Sequence, residues 1–227
     1  MTKSPYSSEQ MAVWLRGLLS IAWADGNFDS QEQQLIASIT ENELAPNLNF
    51  CSIEPITPAE LAASLGKDSA TAENFLRTAV MVAVVDGVYS KSEDEILHKY
   101  FQVLEQKPTA LEALRQTLVN DQGHKIDVQS DIIAKPNNGH HHIDLLHPVR
   151  EWLDNLEIHD PQLARFLCKM IPPQCPFERD IKIFGHKIVH IPPMCKLNPL
   201  YDQLVGLRFR ALSYLADDCH EDISSYY

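Results

Sequence analysis

The hydrophobic and polar positions of the N-terminal half follow helical spacing and predict a series of helices. Apolar residues recur three and four positions apart over residues 14–22, and Ser7 with Gln10 before them has the spacing of a capping box. Residues 57–60, Thr-Pro-Ala-Glu, give a second helix start with proline at the first helical position. The run 79–85 is apolar on all sides, so it predicts the central buried helix of this half.

One helix–loop–helix pattern occurs twice in this half. Residues 22–32 and residues 83–93 both read Ala-x-x-Asp-Gly-x-aromatic-x-x-x-Glu between two helical stretches. Two like units at a constant offset predict a duplicated, all-α bundle with pseudo-twofold symmetry.

The duplicated motif resembles the tellurite-resistance TerB-like family over roughly residues 10–118. The matching residues are Asp25, Gly26, Glu32, Asp86, Gly87 and Glu93. The resemblance implies an all-helical domain with an acidic surface that is suspected of metal binding. It also implies a link to stress response, without an established enzymatic activity.

The C-terminal half returns to helical spacing at residue 147. Asp160 before Pro161 predicts a helix start, and Asn198 before Pro199 predicts the cap of the last long helix. Between these helices, two apolar runs flank Gly185 and predict a β-hairpin, with a short helix as the alternative. The chain therefore divides into a helical domain over 1–119, a linker over 120–146 and a second, small, mainly helical domain over 147–227.

The phrase Ile-Pro-Pro-x-Cys occurs at 171–175 and again at 191–195. Each proline pair fixes two φ angles and removes two backbone donors, so each phrase predicts a stiff, extended elbow. The segments 171–180, 191–199 and 207–212 resemble a family found chiefly in cyanobacteria and named as a molybdenum-dependent nitrogenase C-terminal domain. The resemblance covers about 147–218 and implies an association with nitrogen fixation or with the organisms that carry it out.

The duplicated loops form the first candidate metal site. Clustered oxygen ligands on a tight loop suit hard cations such as Ca²⁺ or Mg²⁺, and Zn²⁺ is a further candidate. The first acidic loop (residues 25–32) and the second acidic loop (residues 86–93) offer Asp25, Asn27, Asp29 and Glu32, and then Asp86 and Glu93. The alternative is structural, because Asp29 with Glu32, and Ser90 with Glu93, have the spacing of capping boxes.

Three cysteines form the alternative metal site. Cys168, Cys175 and Cys195 could bind Zn²⁺ or, as a weaker alternative, an iron–sulfur cluster, with His186 or His190 as fourth ligand. No Cys-x-x-Cys pair occurs among them. Because a free cysteine is often buried, packing is the competing interpretation.

Charge and composition narrow the function classes. The 227-residue chain has a formal net charge of -12, and neither half is strongly basic, so nucleic-acid binding is not expected. We expect no transmembrane segment and a cytoplasmic location, because the start is polar and no long apolar window occurs. Arg208 and Arg210 are expected on the exposed side of the last helix, where they could meet an acidic partner.

No phosphate-binding loop, Gly-x-Ser-x-Gly or His-Glu-x-x-His motif is present, so we expect no enzymatic activity. The sequence predicts a non-enzymatic accessory or regulatory protein that binds a metal ion or a protein partner. One alternative is a redox or metal-carrier protein built on the cysteines. The other is a purely structural interaction module.

Overall fold

A computed structural model describes residues 4–24, 56–85, 89–115, 146–171, 179–183, 186–191 and 198–226. These residues form eight α-helices and one pair of strands. In chain order the elements are α1 (Ser8–Ala22), α2 (Pro58–Leu65), α3 (Ser69–Ala83), α4 (Lys91–Val103), α5 (Thr109–Arg115), α6 (His147–Asp154), α7 (Pro161–Met170), β1 (Arg179–Ile183), β2 (His186–Ile191) and α8 (Tyr201–Ser213). A π-helical turn, Tyr214–Asp218, and a 3-10 turn, Ser224–Tyr226, follow α8. The expected mainly helical fold is confirmed.

Side-chain caps begin three helices where the sequence predicts them. The predicted cap of the last helix is wrong, because Leu200 rather than Asn198 occupies the N-cap position of α8 and no side chain caps that end. The Ser7 hydroxyl accepts the Gln10 N–H, and the Gln10 side chain accepts the Ser7 N–H, which completes the capping box of α1. Thr57 forms the same reciprocal pair at the start of α2. One carboxylate oxygen of Asp160 accepts two N–H groups at the start of α7. These caps satisfy backbone donors that a helix leaves unpaired.

The N-terminal core is built around α3. Its C-terminal half is buried on every side, as the apolar run 79–85 predicts, and it packs against α1, α2 and α4. Four aromatic rings connect these helices, with centroid distances of 5.0, 5.6 and 5.8 Å along Tyr6, Trp14, Phe75 and Tyr100. Gly17 allows α1 to approach α3 closely, because a Cβ there would lie 2.8 Å from the Phe75 ring.

The C-terminal segment places α8 across α6 and α7. Strands β1 and β2 pair antiparallel from Arg179 opposite Ile191 to Ile183 opposite His186, with an irregularity after Ile181. This pair lies where the sequence predicts a hairpin. Among the described residues, the strands contact chiefly each other.

Helices of both segments contribute to one hydrophobic core. Asn74 of α3 binds the backbone of Glu157 in both directions, donating to its carbonyl at 2.7 Å and accepting its N–H at 2.9 Å. Arg77 donates to the Trp152 carbonyl at 2.9 Å, and its guanidinium carbon lies 5.6 Å from the Trp152 ring centroid. The N-terminal helices are therefore joined directly to α6. The domain and linker boundaries stay predictions, since 120–145 lies outside the described residues.

Candidate functional site

Most of the candidate metal ligands in the acidic loops lie outside the described residues: Asp25, Asn27, Asp29, Glu32 and Asp86. Glu93 is described, and its role there is a helix cap. Its carboxylate accepts the Ser90 N–H at 2.8 Å, while the Ser90 hydroxyl accepts the Glu93 N–H at 3.2 Å. The capping box expected as the alternative for this loop is thus formed.

A buried carboxylate next to Glu93 also fixes the start of α4. The sequence analysis did not predict its role. The Asp94 carboxylate accepts the Tyr89 hydroxyl at 2.9 Å and the Arg115 Nε at 2.9 and 3.1 Å from its two oxygens. Burial, followed by the nearby charge of Asp94, raises the pKa of Tyr89 far above its ordinary range. Tyr89 occupies the aromatic position of the repeated motif, and that position is the sequence feature that could have indicated this interaction. The aromatic position therefore anchors the start of α4.

Among the three cysteines, Cys168 is described, whereas Cys175 and Cys195 lie outside the described residues. Cys168 is 3% exposed on α7, and its burial raises the pKa of the thiol to about 11. Metal ligation and nucleophilic attack both need the thiolate. In this structure Cys168 packs within the hydrophobic core, and the cysteine site stays a prediction. In the described part of the chain, no three His, Cys, Asp or Glu side chains are grouped so that they could hold a metal ion.

The expected exposure of Arg208 is wrong. Its side chain is only 6% exposed, and it donates to three backbone carbonyls, those of Cys168, Ile171 and Tyr226. The bond to Ile171 is 2.7 Å long. Because the last carbonyls of a helix have no intrahelical partner and carry a partial negative charge, a guanidinium satisfies the end of α7 well.

Arg210 does the same for the end of α6, and it is half-buried rather than fully exposed. Its Nη1 donates to the carbonyls of Asp154 and Leu156 at 3.0 and 2.8 Å. Alternate arginines of α8 therefore reach the C-termini of two different helices. Both guanidinium groups point away from the solvent side of α8 and fix its position.

Phe209 lies between these two arginines and points into solvent. It is 69% exposed, and Val205, one helical turn earlier, is 42% exposed. They are the exposed large hydrophobic residues of the described part of the chain. Gly206 lies between them on the same side, and a Cβ there would meet nothing within 4 Å. We call Val205, Gly206 and Phe209 the outer face of α8.

Exposed carboxylates precede and follow the outer face of α8 along the chain. Asp202 is exposed in the first turn of α8, three positions before Val205. Asp217 is exposed in the π-helical turn that follows. Since residues three and four apart share one side of a helix, Asp202 lies on the same side as Val205 and Phe209. The candidate site is thus a short apolar stripe with Asp202 on the same side at its N-terminal end, and Asp217 lies in the turn that follows α8.

A cleft lies where α3 and α4 meet α6. This cleft has a volume of about 460 Å³, and Glu73, Phe101 and Trp152 are among its lining residues. One Glu73 oxygen accepts both the Trp152 indole N–H at 3.0 Å and an Arg77 N–H at 2.8 Å. Through the Trp152 indole, Glu73 of the cleft wall thus helps to hold α6 on the N-terminal helices.

Comparison with known proteins supports the assignment of the C-terminal part. Residues 145–227 match the family model described as Mo-dependent nitrogenase C-terminus, which confirms the resemblance of that segment. The matched segment contains α6, α7, the strand pair and α8, and hence the outer face of α8. No curated protein and no solved structure matches the chain. The TerB-like resemblance of the N-terminal part therefore stays a prediction. In the described ranges no helix has the length and apolarity needed to span a bilayer.

Proposed function

We propose that this chain is a non-enzymatic accessory protein that binds a protein partner through the outer face of α8. The observation that carries the proposal is that Phe209 is 69% exposed on α8. The arginines on either side of it in sequence donate to backbone carbonyls of other helices. Aromatic residues are enriched among the side chains that dominate binding energy at protein interfaces. Nothing in the described contacts gives Phe209 a role in stability.

Covering Phe209 would contribute a useful share of an interface's free energy. A phenylalanine side chain buries about 200 Å² when it is fully covered, so the exposed fraction corresponds to about 140 Å². At ~25 cal/mol per Å² of apolar surface, burying this area contributes about 3.5 kcal/mol before the entropic cost of association is subtracted. One such anchor is comparable with a measured interface hot spot.

The outer face is also held rigid before any partner arrives. Arg208 and Arg210 tie α8 to the ends of α7 and α6, and Leu204, Leu207 and Ala211 are buried beneath it. A helix fixed in this way loses little conformational entropy on binding. The geometry therefore favours docking of a partner on a preformed surface.

The biological context of the proposal comes from the two resemblances. The description of the matched family names nitrogenase, which supports a partner in a nitrogen-fixation setting. The TerB-like motif supports a stress-response setting and an ion-dependent role for the acidic loops. The cysteine-based carrier and the structural module remain the competing functions.

The proposal is tested by affinity capture from the source organism, followed by purification of the captured protein and measurement of its affinity. Wild type is compared with Phe209→Ala and with Gln102→Ala, an exposed residue of α4. We expect Phe209→Ala to weaken binding at least about tenfold, while the control binds like wild type. Equal affinity for all three proteins would refute docking on this face.

A further inference from the structure

The charges around the outer face of α8 restrict the chemistry of its partner. Asp202 is exposed at the beginning of the stripe, and Asp217 is exposed beyond its end. The nearest cations within α8, Arg208 and Arg210, donate to backbone carbonyls at the ends of α7 and α6. The outer face therefore presents apolar surface beside the carboxylate of Asp202, while both guanidinium groups of α8 are directed toward other helices.

The net charge of the whole chain has the same sign as the carboxylates near the outer face. The chain's formal net charge is -12 and its sequence pI is about 5.2. A partner with a basic surface is steered toward such a protein, whereas an acidic partner is repelled.

We propose that the outer face of α8 binds a partner segment in which an apolar side chain is flanked by lysine or arginine. This inference rests on the proposed function and specifies its partner. The apolar side chain would cover Phe209 and Val205, while the flanking cations would lie beside Asp202 and Asp217. The expectation of an acidic partner for this helix is thereby reversed, because the arginines that would have met it are bound to the fold.

A second copy of the chain fits this face poorly. In a symmetric pair the same patch faces itself. Parallel helices would bring the two Asp202 carboxylates together, and each copy carries a formal net charge of -12. Like charges opposed across an interface are unfavourable. The charge pattern therefore favours a different, basic partner.

The test uses two fluorescein-labelled helical peptides of about 16 residues, long enough to span α8. Both have leucines one turn apart on one side. One carries lysines beside the leucines, and the other carries glutamates at the same positions. Fluorescence anisotropy measures the affinity of each peptide for the full chain at low salt and at about 0.5 M NaCl.

Three variants separate the apolar and the charged contributions. We expect the lysine peptide to bind, and Phe209→Ala to weaken its binding at least about tenfold. The double variant Asp202→Asn/Asp217→Asn should weaken it several-fold at low salt, with the difference from wild type vanishing at about 0.5 M NaCl. A matched double variant, Glu95→Gln/Glu112→Gln, removes two exposed charges on α4 and α5 and should retain more affinity.

The outcomes distinguish the inference from the function on which it rests. Equal, Phe209-dependent binding of both peptides would overturn the basic partner and leave the docking face standing. The inference would be overturned if the lysine peptide did not bind, or if it bound wild type and Phe209→Ala with equal affinity. Concentration-dependent dimerisation that Phe209→Ala abolishes would replace the basic partner by a second copy. Failure of the proposed function shows instead as natural partner capture that Phe209→Ala does not change.

Discussion

Replacing Arg208 with methionine tests whether this arginine holds the fold rather than a partner. Methionine keeps an unbranched apolar stem and removes every donor. The carbonyls of Cys168, Ile171 and Tyr226 then lose their common partner at a site where the side chain is 6% exposed. Bonds to charged groups contribute about 1.5–3 kcal/mol each, and they are not additive within one side chain. We therefore expect the free energy of unfolding to fall by about 3–5 kcal/mol.

The assay is equilibrium unfolding in urea, followed by tryptophan fluorescence and circular dichroism. Arg208→Lys keeps the positive charge but cannot donate to three carbonyls in the same geometry, so it should lose part of the same stability. Arg210→Met removes bonds from a half-buried side chain and should cost about 1–2 kcal/mol. A loss below about 1 kcal/mol for Arg208→Met, or wild-type stability for Arg208→Lys, would refute the reasoning.

Four further predictions concern other parts of the chain. Gly17→Ala should lower the free energy of unfolding by about 1–3 kcal/mol, although alanine favours helices, because the new Cβ meets the buried Phe75 ring; thermal and urea unfolding measure it. Asn198→Ala should cost about 2–3 kcal/mol, because this buried amide donates to the Val84 carbonyl at 2.6 Å and accepts the Leu200 N–H at 2.9 Å. Because burial raises the pKa of the Cys168 thiol from 9.0 to about 11, its stabilisation is present below about pH 9 and is lost as pH rises to about 11. The unfolding free energy of wild type minus that of Cys168→Ala should therefore decrease over this window. Calorimetric titration with Ca²⁺, Mg²⁺ and Zn²⁺ should give heat from the first acidic loop.

For each of these four predictions, one result would contradict the expected outcome. A more stable Gly17→Ala would mean that the Phe75 ring moves aside at no cost. Asn198→Asp keeps the acceptor but replaces the donor with a charged oxygen, so stability equal to wild type would show that the bond to Val84 is dispensable. If the difference in unfolding free energy between wild type and Cys168→Ala did not change with pH, the raised pKa of the buried Cys168 thiol would be contradicted. No heat with any of the three ions would end the loop hypothesis.

Local signals predicted the helices well, because they depend on short stretches of chain. Ser7, Thr57 and Asp160 all cap helices at the predicted starts, since a capping side chain reaches only two or three residues ahead. The apolar run 79–85 likewise predicted a buried helix, because the absence of any polar side requires burial. The twofold motif also pointed to Tyr89, whose aromatic ring is buried beside α4.

The candidate site could not be predicted in the same way, because it depends on which helix ends meet. Periodicity placed Arg208 outside the apolar stripe of α8, but it could not show that the end of α7 lies within reach of its guanidinium. Asn198 was predicted to cap the last helix, but α8 begins at Tyr201 with Leu200 at the N-cap position and without a side-chain cap. The Asn198 amide instead accepts the Leu200 N–H and donates to the carbonyl of Val84, 114 positions earlier in the chain. The exposure of Phe209 likewise depends on how α8 packs against α6 and α7, which the spacing of apolar residues does not show.

The measurement that tests the central claim most directly is the affinity of a purified natural partner for wild type and for Phe209→Ala, with the unfolding free energy of each measured in parallel. We expect Phe209→Ala to weaken binding at least about tenfold, with the free energy of unfolding unchanged within about 0.5 kcal/mol. Equal affinity would contradict it. So would a loss of binding accompanied by an equivalent loss of stability, because Phe209 would then support the fold rather than the interface.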